Sequence, residues 1–256
     1  LNVSATEEEL DYMLKQSEST ILIVSDKDMI EKVDLEKFNY LKITLKMKTL
    51  FNLGYIVSRM ESVSKEKYLE VINGVSAEDI ATILYTSGTT GNPKGIMFTH
   101  KAVLNGPISF GKNYKYTSRD KILVALPLNH ILGGKYTAIL GLLFGSTIIL
   151  MKKFKTIVAL ETIEKEKCTG FHGVPTMYQY LINNCSSYDL SSLRVGMIAG
   201  AVSSYTLMKE IMEHLHILEL SNTFGQTETL GVTQTPINDK NDPKINTVGK
   251  PVEHVE

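Results

Sequence analysis

Short apolar runs alternate with longer helix-forming stretches along most of this chain, and that alternation restricts its fold more than any other feature. Residues 20–24, 79–85, 95–99, 121–126, 146–151, 169–172, 193–199 and 217–221 read as strands, being short and mostly rich in Val, Ile and Leu. Residues 100–111, 134–144, 156–167, 175–184 and 203–214 read as helices, the first interrupted near Gly106-Pro107. Another helix begins at Thr6, an N-cap whose partner Glu9 completes a capping box. The stretch from 34 to 67 is too mixed in character to assign. Strands alternating with helices predict an α/β fold, a mostly parallel sheet layered between helices. Ligands of such sheets lie beyond the carboxyl ends of the strands. The loops after Tyr85, Leu126, Ala199 and Leu220 all follow strands, which predicts one site assembled from several loops.

The first of these loops is the most informative. Thr86-Ser-Gly-Thr-Thr-Gly-Asn-Pro-Lys-Gly95 packs three glycines, four hydroxyls and a lysine into ten residues. Glycines let the backbone turn sharply and approach a ligand. Backbone N–H groups, hydroxyls and an ammonium are all donors suited to phosphate oxygens. The same composition also suits a polar surface turn. It is not a Walker A loop, because Lys94 is followed by Gly95 rather than by Ser or Thr.

The run from Tyr85 to Gly95 resembles, without a mismatch, the signature loop of the adenylate-forming superfamily, which includes acyl-CoA synthetases, luciferases and peptide-synthetase adenylation domains. Asn222-Thr-Phe-Gly-Gln-Thr-Glu228 resembles that family's aromatic-Gly-x-Thr-Glu element, with Phe224 where Tyr is more frequent. Ala199-Gly-Ala-Val-Ser203 resembles the Gly-Gly-Ala-Pro segment, with Val202 in place of Pro. Leu126-Pro-Leu-Asn-His130 resembles the Pro-Leu-Phe-His segment of acyl- and aryl-CoA synthetases, Gly173-Val-Pro-Thr176 the opposite wall of the acyl pocket, and Val248-Gly-Lys-Pro-Val252 the Val-Gly-x-Pro element.

The resemblance implies ATP-dependent activation of a carboxylic acid, followed by transfer to coenzyme A: an acid–thiol ligase, an acyl-CoA synthetase of fatty acid metabolism. Thr86, Ser87, Gly88, Thr89, Thr90, Gly91 and Lys94 would hold the β- and γ-phosphates. Gly200 and Ala201 would pass the adenine edge, and Phe224 would lie against its ring within the run Asn222, Thr223, Phe224 and Gly225. Thr227 would bind a phosphate and Glu228 would help hold Mg²⁺. Thr86, Lys94, Thr227 and Glu228 would carry the catalysis. His130, His172 and Gly173 would border the acid. On the residues alone His130 reads equally as a loop histidine, and His172 as a structural one. No acid stands between Leu126 and Gly134 to pair a substrate amine, which disfavours amino acids.

The alternative acceptor is a carrier-protein thiol; a non-catalytic nucleotide-binding module is the alternative from another class. Family members run further in both directions. Residues 1–256 are therefore expected to be the central part of the AMP-binding N-terminal domain, without the upstream segment or the mobile C-terminal domain, and inactive alone.

Composition excludes other classes. A formal net charge of −1 gives no basic excess for nucleic acid. Two cysteines in unrelated contexts make no disulfide framework and fit a reducing cytoplasm. The longest apolar stretch, 136–151, is too short and too interrupted by glycine to span a membrane.

Overall fold

The computed structural model describes residues 5–24, 43–46, 63–86, 91–237, 247–253 and 255. The chain divides into two compact units, Leu1–His100 and Lys101–Glu256.

In the first unit, α1 (Glu7–Gln16) starts as the sequence predicts. Glu9 N–H donates to the Thr6 hydroxyl, and Thr6 N–H donates back to the Glu9 carboxylate at 2.9 Å. Its buried residues Leu10, Met13 and Leu14 recur at helical spacing. Strand β1 (Ile21–Val24) pairs in parallel with β2 (Ile43–Lys46). Helix α2 (Lys65–Asn73), capped by Ser64, emerges where the sequence was left unassigned. Strands β3 (Ile80–Thr86) and β4 (Lys94–Thr99) form an antiparallel hairpin, and the Tyr85 hydroxyl donates to Met13 O at 2.9 Å.

The second unit is built on a seven-stranded sheet. Helix α3 (His100–Tyr114) leads into it without the expected interruption. Pro107 lies inside the helix, and buried Val103, Phe110 and Tyr114 anchor the turns on either side of it. Tertiary packing thus overrides the local cost of the missing N–H. Then follow β5 (Lys121–Val124), a helical stretch α4, β6 (Thr147–Leu150), α5 (Thr156–Glu166), β7 (Gly170–Gly173), α6 (Pro175–Ile182), β8 (Val195–Ile198), α7 (Tyr205–His214), β9 (Glu219–Gln226), β10 (Leu230–Gln234) and β11 (Lys250–Pro251). Helix α4 comprises a turn at Ile131–Gly133, a π-helical segment Gly134–Ile139 and an α-helical turn Leu140–Leu143.

The strand order is β11-β10-β9-β8-β7-β5-β6. Five neighbours from β6 to β9 run parallel, and β10 and β11 add antiparallel pairings at one edge. One face of the parallel strands, with Leu123, Phe171, Ile198 and Leu220, packs on Ala159, Leu160 and Ile163 of α5, Tyr178 and Leu181 of α6, and Met208 and Ile211 of α7. The alternate residues Ile122, Val195 and Met197 are equally buried but point to the other face. There Gly141 of α4 sits so close to Ile122 and Ile148 that a Cβ would lie 2.4 Å from Ile148 Cδ1.

The amino ends of the strands are tied by one cation. Arg194 Nη2 reaches Asp120 Oδ1 at 2.9 Å, and Arg194 Nη1 donates to Glu219 Oε2 at 2.6 Å and to Tyr114 O at 3.1 Å. Asp120 also accepts from the Thr169 hydroxyl and from Thr117 N–H, both at 2.8 Å. Desolvation pushes the Asp120 carboxyl up, but the Thr169 and Thr117 donors and the Arg194 charge outweigh it and hold it below its usual range.

Candidate active site

Strand β9 sets the site. The sequence predicts a strand ending near Ser221 and a loop carrying Asn222 to Glu228. Instead the strand continues to Gln226, because its backbone is paired on both sides: Asn222 faces Ile198 of β8, and Thr223 faces Gln234 of β10. The turn Thr227–Thr229 then reverses the chain, and a register shift between Gly231 and Thr233 bulges β10. Gly225 is required here, since a Cβ would lie 2.2 Å from Leu230 O.

Two cavities flank this hairpin. One, of about 690 Å³, runs along Gly200–Ser203, Tyr205 and Asn222–Gly225, with Thr247 and Val248. Phe224, 52% exposed, presents its ring there. Gly200 adopts φ +85, which a side chain would disfavour. The other, of about 420 Å³, is lined by Leu126, Ile131, Leu132, Tyr136, Val174 and Met197 among others, and also by His130 and Thr227. The two share Gly200, Thr223 and Gly225. The Thr223 hydroxyl is buried and has no hydrogen-bond partner among the described residues. It lies near the Tyr114 hydroxyl, on a strand segment bordered by both cavities.

The expected site residues are not all in one place. Gly200, Ala201, Asn222, Thr223, Phe224 and Gly225 line the larger cavity, whose small residues and flat aromatic suit a purine. Thr227 and His130 line the smaller one, and Glu228 stands exposed in the β9–β10 turn. In the first unit, Thr86 and Lys94 are direct cross-strand neighbours that close the phosphate-type loop, with Gly91 at φ +147. Ser87, Gly88, Thr89 and Thr90 lie outside the described residues. Among the described residues no group of three His, Cys, Asp or Glu could hold a metal. A lone carboxylate at Glu228 still suits Mg²⁺, which is commonly bound by one or two carboxylates together with substrate phosphates.

His172 is placed differently from the expectation. It does not line the smaller cavity but is fully buried in β7. The Tyr136 carbonyl can only accept, so Nδ1 carries the proton at 2.9 Å, and Nε2 accepts from the Tyr116 hydroxyl at 2.9 Å. Burial pushes its pKa down to about 4, only partly offset by the Tyr136 carbonyl. The histidine is a neutral pillar with both nitrogens engaged. Gly173, next along β7, is buried too, and the cavity wall begins one residue later at Val174. The sequence reading missed Tyr136, which closes the smaller cavity. Its only signal was an aromatic residue in a Gly- and Leu-rich stretch, which does not show what the ring faces.

The sequence profile of the AMP-binding enzyme family matches residues 1–256, and the chain belongs to that family. It is 29% identical, over its whole length and 52% of the relative's, to a Bacillus subtilis (strain 168) protein, YngI, named as an acyl-CoA synthetase. It is 33% identical to the mitochondrial medium-chain acyl-CoA ligase ACSF2 of Mus musculus, over 71% of this chain and 31% of the relative. The chain thus spans about half, or less, of the curated relatives it matches. Among solved structures, Bacillus subtilis o-succinylbenzoate coenzyme A synthetase in complex with ATP and magnesium ion shares the fold at TM-score 0.76 and 23% identity, covering 99% of this chain and 49% of that one. In this α/β fold no helix among the described residues is long and apolar enough to cross a membrane.

Proposed function

We propose that the protein containing this chain activates a carboxylic acid with ATP and passes the acyl group to coenzyme A. A carboxylate oxygen attacks the α-phosphorus, the bond to the β-phosphate oxygen breaks, and pyrophosphate leaves. The thiol sulfur then attacks the acyl carbon and AMP leaves. The observation that carries this reading is the pair of cavities sharing Gly200, Thr223 and Gly225: a slot bordered by Phe224 and small residues, and an apolar pocket, joined at one strip.

In this reading Phe224 stacks on adenine, while Gly200 and Ala201 let the backbone approach its edge. Thr227 donates to the α-phosphate, where charge moves in the transition state. Thr86 and Lys94, with the loop between them, hold the outgoing β- and γ-phosphates. Glu228 would hold Mg²⁺, which when bound neutralises phosphate charge. His130 borders the acid pocket at the start of α4. Coenzyme A, rather than a carrier thiol, is favoured by the names of the relatives, and a cytoplasmic site by the cysteine usage. Carboxylate-dependent ATP–pyrophosphate exchange on the intact parent protein tests the reading. Exchange with a subset of acids supports it, and ATP binding without exchange for any acid overturns it.

A further inference from the structure

One wall of the proposed acid cavity is fixed. Tyr136 lines it while only 2% exposed. Its oxygen accepts from Gly231 N–H at 2.7 Å, so the ring is tied to β10. Behind it the ring of Phe110, itself fully buried, packs at 4.6 Å between centroids and 60°. The hydroxyl also lies against Gly106 of α3, where a Cβ would approach to 2.5 Å. Burial pushes the phenol up to about 12, with Gly231 N–H opposing, so it stays neutral. The backbone carbonyl of Tyr136 is held by His172, and Tyr136 sits in a π-helical segment whose extra residue per turn re-aims side chains. Ring, hydroxyl and backbone are each restrained by a different element, leaving no room for the ring to swing away.

The lining chemistry is also one-sided. No Asp, Glu, Lys or Arg stands among the described residues lining this cavity. An ammonium on the substrate would be buried there without an anionic partner and a second carboxylate would have only His130, both of which are costly.

We infer that Tyr136 is the length gauge of the acid pocket, and that the substrate is an uncharged, apolar monocarboxylic acid of short to medium length. This rests on the ligase reading above. At roughly 30 Å³ for a water-sized group, a cavity of about 420 Å³ holds on the order of ten to fourteen non-hydrogen atoms, the carboxylate included. Acids longer than that meet the phenol ring.

The test is ATP–pyrophosphate exchange by the intact parent protein over straight-chain acids from about four to sixteen carbons, with a dicarboxylic acid and an amino acid included, together with ATP binding by titration. The wild type is expected to peak at or below about ten carbons. Beyond the cut-off, kcat/KM should fall by roughly tenfold or more for each added methylene. Tyr136→Ala should move the cut-off to longer acids, raising their kcat/KM relative to short ones, whereas Tyr136→Phe should keep the wild-type profile. Circular dichroism and a melting curve establish folding. If Tyr136→Ala does not fold, Leu132→Phe narrows the same cavity and should shift the cut-off to shorter acids. A folded Tyr136→Ala or Leu132→Phe variant with an unchanged length profile overturns the gauge. So does a wild type that accepts sixteen-carbon acids or dicarboxylic acids as well as short ones. ATP binding without exchange for any acid is a different result, because it removes the ligase reading itself and the gauge with it.

Discussion

The two ends of the seven-stranded sheet are built to opposite rules. At the amino ends, Arg194 gathers Asp120 and Glu219 and its remaining donors reach Tyr114 O and Lys115 O, while Asp120 takes Thr169 and Thr117 as well. At the carboxyl ends, the Ser203 hydroxyl and, on the adjoining strand, Thr233 Oγ1 are buried without a partner among the described residues, while Thr223 and Gln234 lie near the Tyr114 hydroxyl. Gly200 takes a left-handed conformation there, and Phe224 and Val202 expose apolar surface. One end spends its polar groups on the fold. The other leaves some of them unpaired, at a cost in desolvation of about 1–3 kcal/mol for each unmade bond, and opens onto the two cavities. In the proposed reading, the same sheet separates stability from chemistry by direction along its strands.

The comparison predicts that substitutions at the two ends will fail in different assays. The largest effect is expected at Glu228. Glu228→Gln removes one exposed carboxylate at the tip of the β9–β10 turn, so the melting temperature of the parent protein should barely move. Pyrophosphate exchange should drop by roughly a hundredfold to a thousandfold, the usual result of deleting a group that stabilises transition-state charge. A variant with full exchange activity would break the assignment of this end to chemistry.

Next comes His172, buried between the two ends. Its folded pKa of about 4 lies below its ordinary 6.5. Between those values the unfolded chain binds a proton that the folded one does not, so stability falls as pH drops from about 7 to about 4. The contribution is on the order of 3 kcal/mol and is complete once the pH is below the folded pKa. Urea midpoints measured across that window should slope steeply in the wild type and clearly less in His172→Asn. Equal slopes would show that the imidazole is not held neutral.

Arg194→Met tests the saturated end. It leaves Asp120, a nearly buried carboxylate, without its cation, but Arg194 is itself one-third exposed and water replaces part of the loss. A destabilisation of about 2–3 kcal/mol follows, read as a lower urea midpoint, with nucleotide affinity unchanged in the folded protein. The pH signature differs from that of His172. Because the Asp120 pKa is depressed on folding, its contribution is present above about 3.9 and is lost as pH falls through the folded value. In Arg194→Met that acid-side loss should shrink.

How much of this was legible in the chain depends on distance along it. The capping box of α1 and the apolar strands β5 to β8 were readable because each depends on residues close in sequence. The extension of β9 was not. Ser221, Asn222, Thr223 and Gly225 carry little strand preference between them, and their conformation is imposed by β8 on one side and β10 on the other. The unbroken α3 was misread for the same reason, since what stabilises Pro107 in a helix is the buried packing of its neighbours. Tyr136 was invisible as a wall because its restraints come from Gly106 and Phe110 on α3 and from Gly231, 95 residues away. His172 matched a pocket position by its neighbours in sequence, yet Tyr116, 56 residues earlier, claims its second nitrogen.

The smallest effect is expected at Phe224, and it sharpens the contrast most. Its ring is half-exposed on β9, so Phe224→Ala removes little buried contact and should cost almost nothing in stability. Stacking of a base on an aromatic face is worth about 1–3 kcal/mol, and a half-exposed ring belongs at the lower end of that range. AMP and ATP should bind roughly tenfold more weakly to the variant by equilibrium titration, a loss of about 1.4 kcal/mol. The KM for ATP should rise with kcat nearly unchanged, because stacking is the same in ground and transition states. Phe224→Tyr should bind as the wild type does, since the face is retained. If Phe224→Ala instead lowered the melting temperature and left affinity intact, this aromatic would belong with Arg194 as a structural residue, and the division of the sheet into a saturated end and a receptive end would fail at the position where a ligand is most directly expected.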